Sequence, residues 1–236
     1  MSNDRRLLIV DLSVNPAVYR PVQHWRPHVE ALGVRADVCR PPDGDVPADL
    51  APYSHAILTG SEASILADTP WIRRACDLTR ALDARGVKLL GSCFGHQMLA
   101  RALAGRSFVR RTPTPEFGWI DVTKLAGGAA PDAVTEALPG RFAVYTSHFD
   151  EVWPLPPGWE RVAETAGCSC AVVRRASGGA WGIQPHPEIG VDEGLALQAS
   201  YLDTMPERRG VLEAAWHAEP RDDRITPALV RGFLDA

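Results

Sequence analysis

No apolar run in this 236-residue sequence approaches the roughly 20 residues that a membrane-spanning helix needs. The apolar run in the N-terminal MSNDRRLLIVDL is too short for a signal peptide and ends in an Asp, so a cytoplasmic location is expected. There is no CxxC pair. The five cysteines, Cys39, Cys76, Cys93, Cys168 and Cys170, are odd in number, scattered, and without a His-rich partner segment. Neither a disulfide framework nor a zinc site is expected from them. Cys168 and Cys170 are expected to pack side by side on a strand. No G-x-x-x-x-G-K-[ST] loop or other phosphate-cradling run is present, so ATP-driven activation within this chain is not expected. Strong charge imbalance is missing too. Twenty-five basic against 29 acidic residues give a net charge of -4, which offers nucleic acid or an anionic membrane no electrostatic attraction.

The rest is ordinary globular composition, 45% hydrophobic and 23% charged. Short apolar runs read as buried strands at Leu7–Leu12, Ala36–Cys39, His55–Thr59, Val87–Gly91, Phe142–Thr146, Ala171–Arg174 and Ala180–Gln184. Helical spacing appears at Val22–Leu32, Trp71–Arg85 and His96–Leu103. Strand–helix alternation in the first half predicts an α/β fold, an open and mostly parallel sheet with helices on both faces. The second half has closer strands and turn signals at Gly127-Gly128, Pro139-Gly140, Pro157-Gly158 and Ser177-Gly178-Gly179, which predict extra antiparallel strands. The Pro-rich stretch Arg40–Pro52 reads as a surface loop. After Pro187 the chain reads as mostly helical, with polar breaks near Pro206–Gly210 and Glu219–Asp223.

The run 87-VKLLGSCFGHQMLA-100 places a cysteine between two glycines where a strand turns into a helix. Such a turn holds its central side chain outward at the top of a sheet, and flanking glycines relieve the crowding. The helix N-terminus favours a thiolate at Cys93, and the Phe94 N–H is placed to donate to a developing oxyanion. Taken alone, the stretch fits a buried structural cysteine as well as a nucleophile.

A nucleophilic thiolate needs a base, and the base needs an orienting partner. Of the seven histidines, His24 and His28 read as surface residues of a helix, His55 has no convergent pattern, His96 points along its helix, and His217 is in the polar tail. That leaves His148 in 145-YTSHFDEV-152 and His186 in 181-WGIQPHPEIG-190. The second is favoured. A strand delivers Pro185-His186-Pro187-Glu188 at its C-terminal edge, where residues two apart share a side, so Glu188 can hold the imidazole. By itself this segment also reads as a proline-rich turn carrying a surface ion pair.

Together, 57-ILTGSEAS-64, 91-GSCFGHQ-97, 147-SHFDEV-152 and 184-QPHPE-188 resemble the class I glutamine amidotransferase family. The resemblance runs over roughly residues 5 to 190 and is nearest to stand-alone proteins similar to the GMP synthase glutaminase domain, a group with the γ-glutamyl peptidases. The segment 115-PEFGW-119 looks like an element of the same group. The resemblance implies a flavodoxin-like fold in one domain over residues 1–236, with a helical tail from about 191 to 236. It implies Cys93 as nucleophile, His186 as acid/base, Glu188 as orienter, and Gly60 and Phe94 as oxyanion donors. Gln97, Ser147, His148 and Phe149 would face the substrate, glutamine or a γ-glutamyl compound. No metal or organic cofactor is implied. Two fates follow for the amine: ammonia passed to a separate ATP-using synthetase, or hydrolysis of γ-glutamyl amides by the chain alone. A third reading is a non-catalytic binding protein. Phe94 departs from the Leu or Tyr common at that position.

Overall fold

The computed structural model describes residues 6–127, 131–204, 209–214 and 219–236. In chain order the elements are β1 (Arg6–Val10), α1 (Pro21–Glu30), β2 (Arg35–Cys39), β3 (Tyr53–Leu58), α2 (Pro70–Ala84), β4 (Lys88–Ser92) and α3 (Phe94–Leu103). Then come β5 (Val109–Lys124), α4 (Ala133–Glu136), β6 (Arg141–Val152), β7 (Trp159–Glu164), β8 (Val172–Arg175) and β9 (Ala180–Ile183). The tail carries α5 (Val191–Thr204), α6 (Arg209–Ala214) and α7 (Thr226–Leu234). The strands form one nine-stranded sheet in the order β2-β1-β3-β4-β9-β8-β7-β5-β6.

From β2 to β9 the pairings are parallel, and from β9 to β6 they are antiparallel. The expected α/β sheet with added antiparallel strands is therefore present. Side chains alternate across it. Leu8, Val10, Ala56, Leu58 and Leu89 pack on one face with Ile72, Leu82, Met98 and Leu99 of α2 and α3. Leu7, Ile9, Ile57 and Leu90 pack on the other with Trp25 and Val29 of α1 and Leu229, Val230 and Phe233 of α7. This period of two on buried strands places a helix layer on each side. Helix α2 starts cleanly because Thr69 accepts from the Ile72 N–H and Pro70 occupies the first turn.

Strands β5 and β7 were not legible as strands. Pro113 and Pro115 sit in β5 where its register against β6 breaks, between Arg111 and Glu116. In β7 the charged residues Glu160, Arg161 and Glu164 mask the strand signal. Strand β6 runs past Thr146 to Val152, because the polar residues beyond it are buried against partners on β5. Cys168 and Cys170 lie in a turn instead of a strand, both buried. The loop after Arg40 contains a short 3-10 turn at Pro41–Asp43. His24 and His28 lie on α1 as read, partly buried at its surface. In the tail, Arg209 and Gly210 belong to α6, while residues 219–225 form the second break as read. Gly128, Pro206 and His217 lie outside the described residues. No described helix is long and apolar enough to cross a membrane.

Candidate active site

The strand β4 and helix α3 meet at Cys93, whose backbone has φ 49° and ψ -107°. A non-glycine residue in that region carries strain of about 1–3 kcal/mol, which surrounding contacts must hold. Two close approaches do so. A Cβ on Gly95 would lie 2.1 Å from the Leu58 carbonyl oxygen, and one on Gly91 would lie 2.5 Å from the Gly95 carbonyl. Only glycine lets α3 start so near β3 and β4. The Cys93 N–H donates to the Ile183 carbonyl at 2.9 Å, tying the turn to β9.

Just beyond β9, the His186 N–H donates to the Tyr145 carbonyl at 2.8 Å. This fixes the segment 185–188 across the turn from Cys93. The His186 ring lies near enough to Cys93 to feel its charge. Its Nδ1 lies 2.9 Å from Glu188 Oε1. Two hydroxyls complete the carboxylate: Tyr19 donates to Oε1 at 2.7 Å and Ser92 to Oε2 at 3.1 Å. His186, Glu188 and Cys93 are all buried, at 5% exposure each. Burial alone would push the His186 ring down; the charges on Cys93 and Glu188 outweigh it and raise it to about 10. Burial also pushes the Glu188 carboxyl up, and the His186 ring with the Tyr19 hydroxyl pulls it below the usual range. An imidazole held between a thiol and an acceptor carboxylate can take and return protons at the sulfur.

The Phe94 N–H is in the first turn of α3, where N–H groups lack intrahelical acceptors. Gly60 follows β3 on the far side; a Cβ there would lie 2.7 Å from His186 Cε1. Cys93 and Phe94 form part of the lining of a cavity. One side is the loop Ser61–Ser64, and the other is β5 and β6, through Phe117 and Ser147–Asp150. Asp150 joins the sides, because its Oδ2 accepts from the Ser64 hydroxyl and from the Ile65 N–H.

A family model described as glutamine amidotransferase class-I matches residues 45–195. The chain belongs to this family. The amidotransferase is 35% identical to Gamma-glutamyl peptidase 4 of Arabidopsis thaliana over 127 residues, 52% of this chain and 50% of that protein. It is 33% identical to a GMP synthase (glutamine-hydrolyzing) of Aeropyrum pernix over 163 residues, 68% of this chain and 29% of that protein. The chain thus spans half or less of these curated relatives. A glutamine amidotransferase structure from Thermotoga maritima superposes with a TM-score of 0.77 at 23% identity, covering 99% of this chain and 97% of that one. That likeness bears on the fold.

The residues expected from the sequence of the amidotransferase converge on this place. Gln97 is buried on α3, and its amide donates to the Asp150 carbonyl at 2.6 Å and to Gln184 Oε1 at 3.1 Å. It borders the cavity, as do Ser147, His148 and Phe149. The Ser147 carbonyl lies 3.7 Å from the Cys93 sulfur. Both nitrogens of His148 are used inside the protein, one toward the Asp150 carbonyl at 3.1 Å and one toward Glu116 at 3.1 Å. Glu116, in the PEFGW segment, also accepts from the Thr165 hydroxyl and the Gly167 N–H. Its carboxyl, pushed up by burial, is pulled below its usual range mainly by the His148 hydrogen bond. His148 therefore faces the cavity as a braced wall. His96 is buried beneath β9, where a Cβ on Gly182 would lie 2.2 Å from its Nδ1, and burial lowers its ring to about 3. Among the described residues no group of His, Cys, Asp and Glu could hold a metal ion.

Sequence reading missed Tyr19, Ser92, Tyr201 and Leu212. Ser92 was inside the quoted motif but carried no pattern of its own. Tyr19 comes from the loop after β1, and nothing in its neighbourhood repeats at a structural period. Tyr201 on α5 and Leu212 on α6 both border the cavity.

Proposed function

We propose that this chain is a Cys-His-Glu amidohydrolase that cleaves the γ-carboxamide of glutamine and delivers the ammonia to a separate ATP-using synthetase. The observation that carries this reading is the buried line from Cys93 through His186 to Glu188, closed by Tyr19. The Cys93 sulfur attacks the γ-carbonyl carbon. The oxyanion that forms is held by the Phe94 and Gly60 N–H groups, and one such donor contributes about 3 kcal/mol in other enzymes. His186 gives its proton to the nitrogen, and the C–N bond breaks to leave a thioester and ammonia. A water then loses a proton to His186 and attacks the thioester carbon, which releases glutamate and restores the thiol. Gln97, Ser147 and Phe149 hold the glutamyl end, and His148 keeps their wall rigid. No step calls for a metal or organic cofactor.

A second reading, a free-standing hydrolase of γ-glutamyl amides or peptides, is favoured by one observation: the chain's own tail contributes to the cavity through Tyr201 and Leu212. Release of ammonia and glutamate from glutamine, measured beside release of amines from γ-glutamyl peptides, separates the two. Robust peptide cleavage without a partner selects the second. Cys93→Ala is expected to abolish either turnover while the protein still folds, as a cooperative thermal melt would show. Full activity in that variant would remove Cys93 from the mechanism.

A further inference from the structure

The family model ends at residue 195, yet the cavity around Cys93 does not. Two of its lining residues, Tyr201 and Leu212, come from beyond that point. Their placement is anchored. Helix α5 lies on an aromatic cluster in which Trp119, Tyr145, Ile189, Leu197 and Tyr19 are buried together, with Tyr201 packed against it. Gly194 lets the helix come close: a Cβ there would sit 2.8 Å from the Trp119 ring and 2.9 Å from the Tyr145 ring. The same cluster contains Tyr19, the donor to Glu188. Tyr201 lines the same cavity as Ser147, so α5 reaches over to the β6 wall. Leu212 is only 1% exposed, which means α6 is packed down and not standing off in solvent.

We propose that α5 and α6 form the specificity wall of the catalytic cavity, in which Tyr201 and Leu212 limit the size of the group accepted beside Cys93. A rigid apolar wall discriminates by volume, because a group that overfills it must displace close-packed neighbours. The compounds admitted are small primary or secondary γ-glutamyl amides, and bulky amides are turned away. The amide part of this claim rests on the hydrolase reading above. The size limit at the sulfur does not.

The test is the rate of Cys93 alkylation in the full chain by iodoacetamide and by the larger 2-iodo-N-phenylacetamide, with peptide mapping of the product. All five cysteines are buried, but Cys93 is the one on the lining of this cavity, so labelling that peptide mapping confines to Cys93 also reports an intact fold. Wild-type protein should react faster with the small reagent. Tyr201→Ala and Leu212→Ala should shrink that preference by about tenfold, the scale on which pockets discriminate by a small apolar group. Leu212→Trp should enlarge it. An unchanged preference across the variants overturns the proposal. Where an alanine variant labels all five cysteines its fold is lost, and Leu212→Trp decides. The same proteins are assayed with glutamine and γ-glutamyl anilide. A moved alkylation preference without turnover of either amide keeps the wall and removes the hydrolase reading. Turnover with an unmoved preference does the reverse.

Discussion

At the scale of single residues, His186 sits between two sources of negative charge in a place that water barely reaches. Burial opposes its protonation; Cys93 and Glu188 overcome that opposition and hold the ring at about 10 instead of 6.5. A folded-state value above the unfolded one stabilises the fold fully below about pH 6.5, and that contribution is lost as the pH rises through about 10. Replacing the sulfur should expose its share. In Cys93→Ser the His186 titration, followed by NMR of the labelled imidazole, is expected to move down, and the alkaline loss of urea stability should move down with it. An unmoved titration would mean that sulfur and ring are not coupled. Tyr19 acts one step further out, through Glu188. Tyr19→Phe keeps the ring and removes the donor, and a hydrogen bond to a charged group contributes about 1.5–3 kcal/mol. We expect kcat for glutamine to fall about tenfold or more on that scale, with KM little changed. Because Tyr19 helps to hold the Glu188 carboxyl low, its loss should also shift the acid limb of the pH profile upward. A change in KM alone would show that Tyr19 touches substrate and does not position the base.

At the scale of elements, the turn between β4 and α3 is set by what lies beneath it. Gly95 meets the carbonyl of Leu58 on the neighbouring strand, and that atom belongs to backbone, which cannot swing aside. Gly95→Ala should therefore push α3 off β3 and cost about 1–3 kcal/mol, the usual range for overpacking. Chemical denaturation measures the loss, and a slower Cys93 alkylation should accompany it. The glycine spacing was readable because it is local and the strand-to-helix change surrounds it. Strand β5 was not readable, since Pro113 and Pro115 argue against a strand in any local view. They are tolerated because the register with β6 breaks at that point. The polar end of β6 was missed for a related reason. His148, Asp150 and Glu151 look like a loop until Glu116, Arg111 and Arg110 on β5 supply their partners.

At the scale of the whole molecule, the tail closes two separate parts of the structure. Helix α7 covers one face of the sheet, with Phe233 fully buried against His55 and Trp181. Phe233→Ala should lower unfolding stability by about 3–5 kcal/mol, as large-to-small changes in cores do. A urea titration with an unchanged midpoint would show that α7 is dispensable to the core. Helices α5 and α6 instead meet the cavity beside Cys93. In both cases the partner surfaces lie far away in sequence, so amphipathic spacing announced helices without saying what they cover. The sequence by itself determined the alternating layers, the glycine-framed cysteine and the paired His186 and Glu188, because each depends on spacing within a few residues. The tertiary structure alone decided that Tyr19 and Ser92 complete the carboxylate, that His148 is a braced wall, and that the tail borders the cavity. Those contacts join segments that only the folded sheet brings together, and no local period encodes which distant side chain will fill a given space.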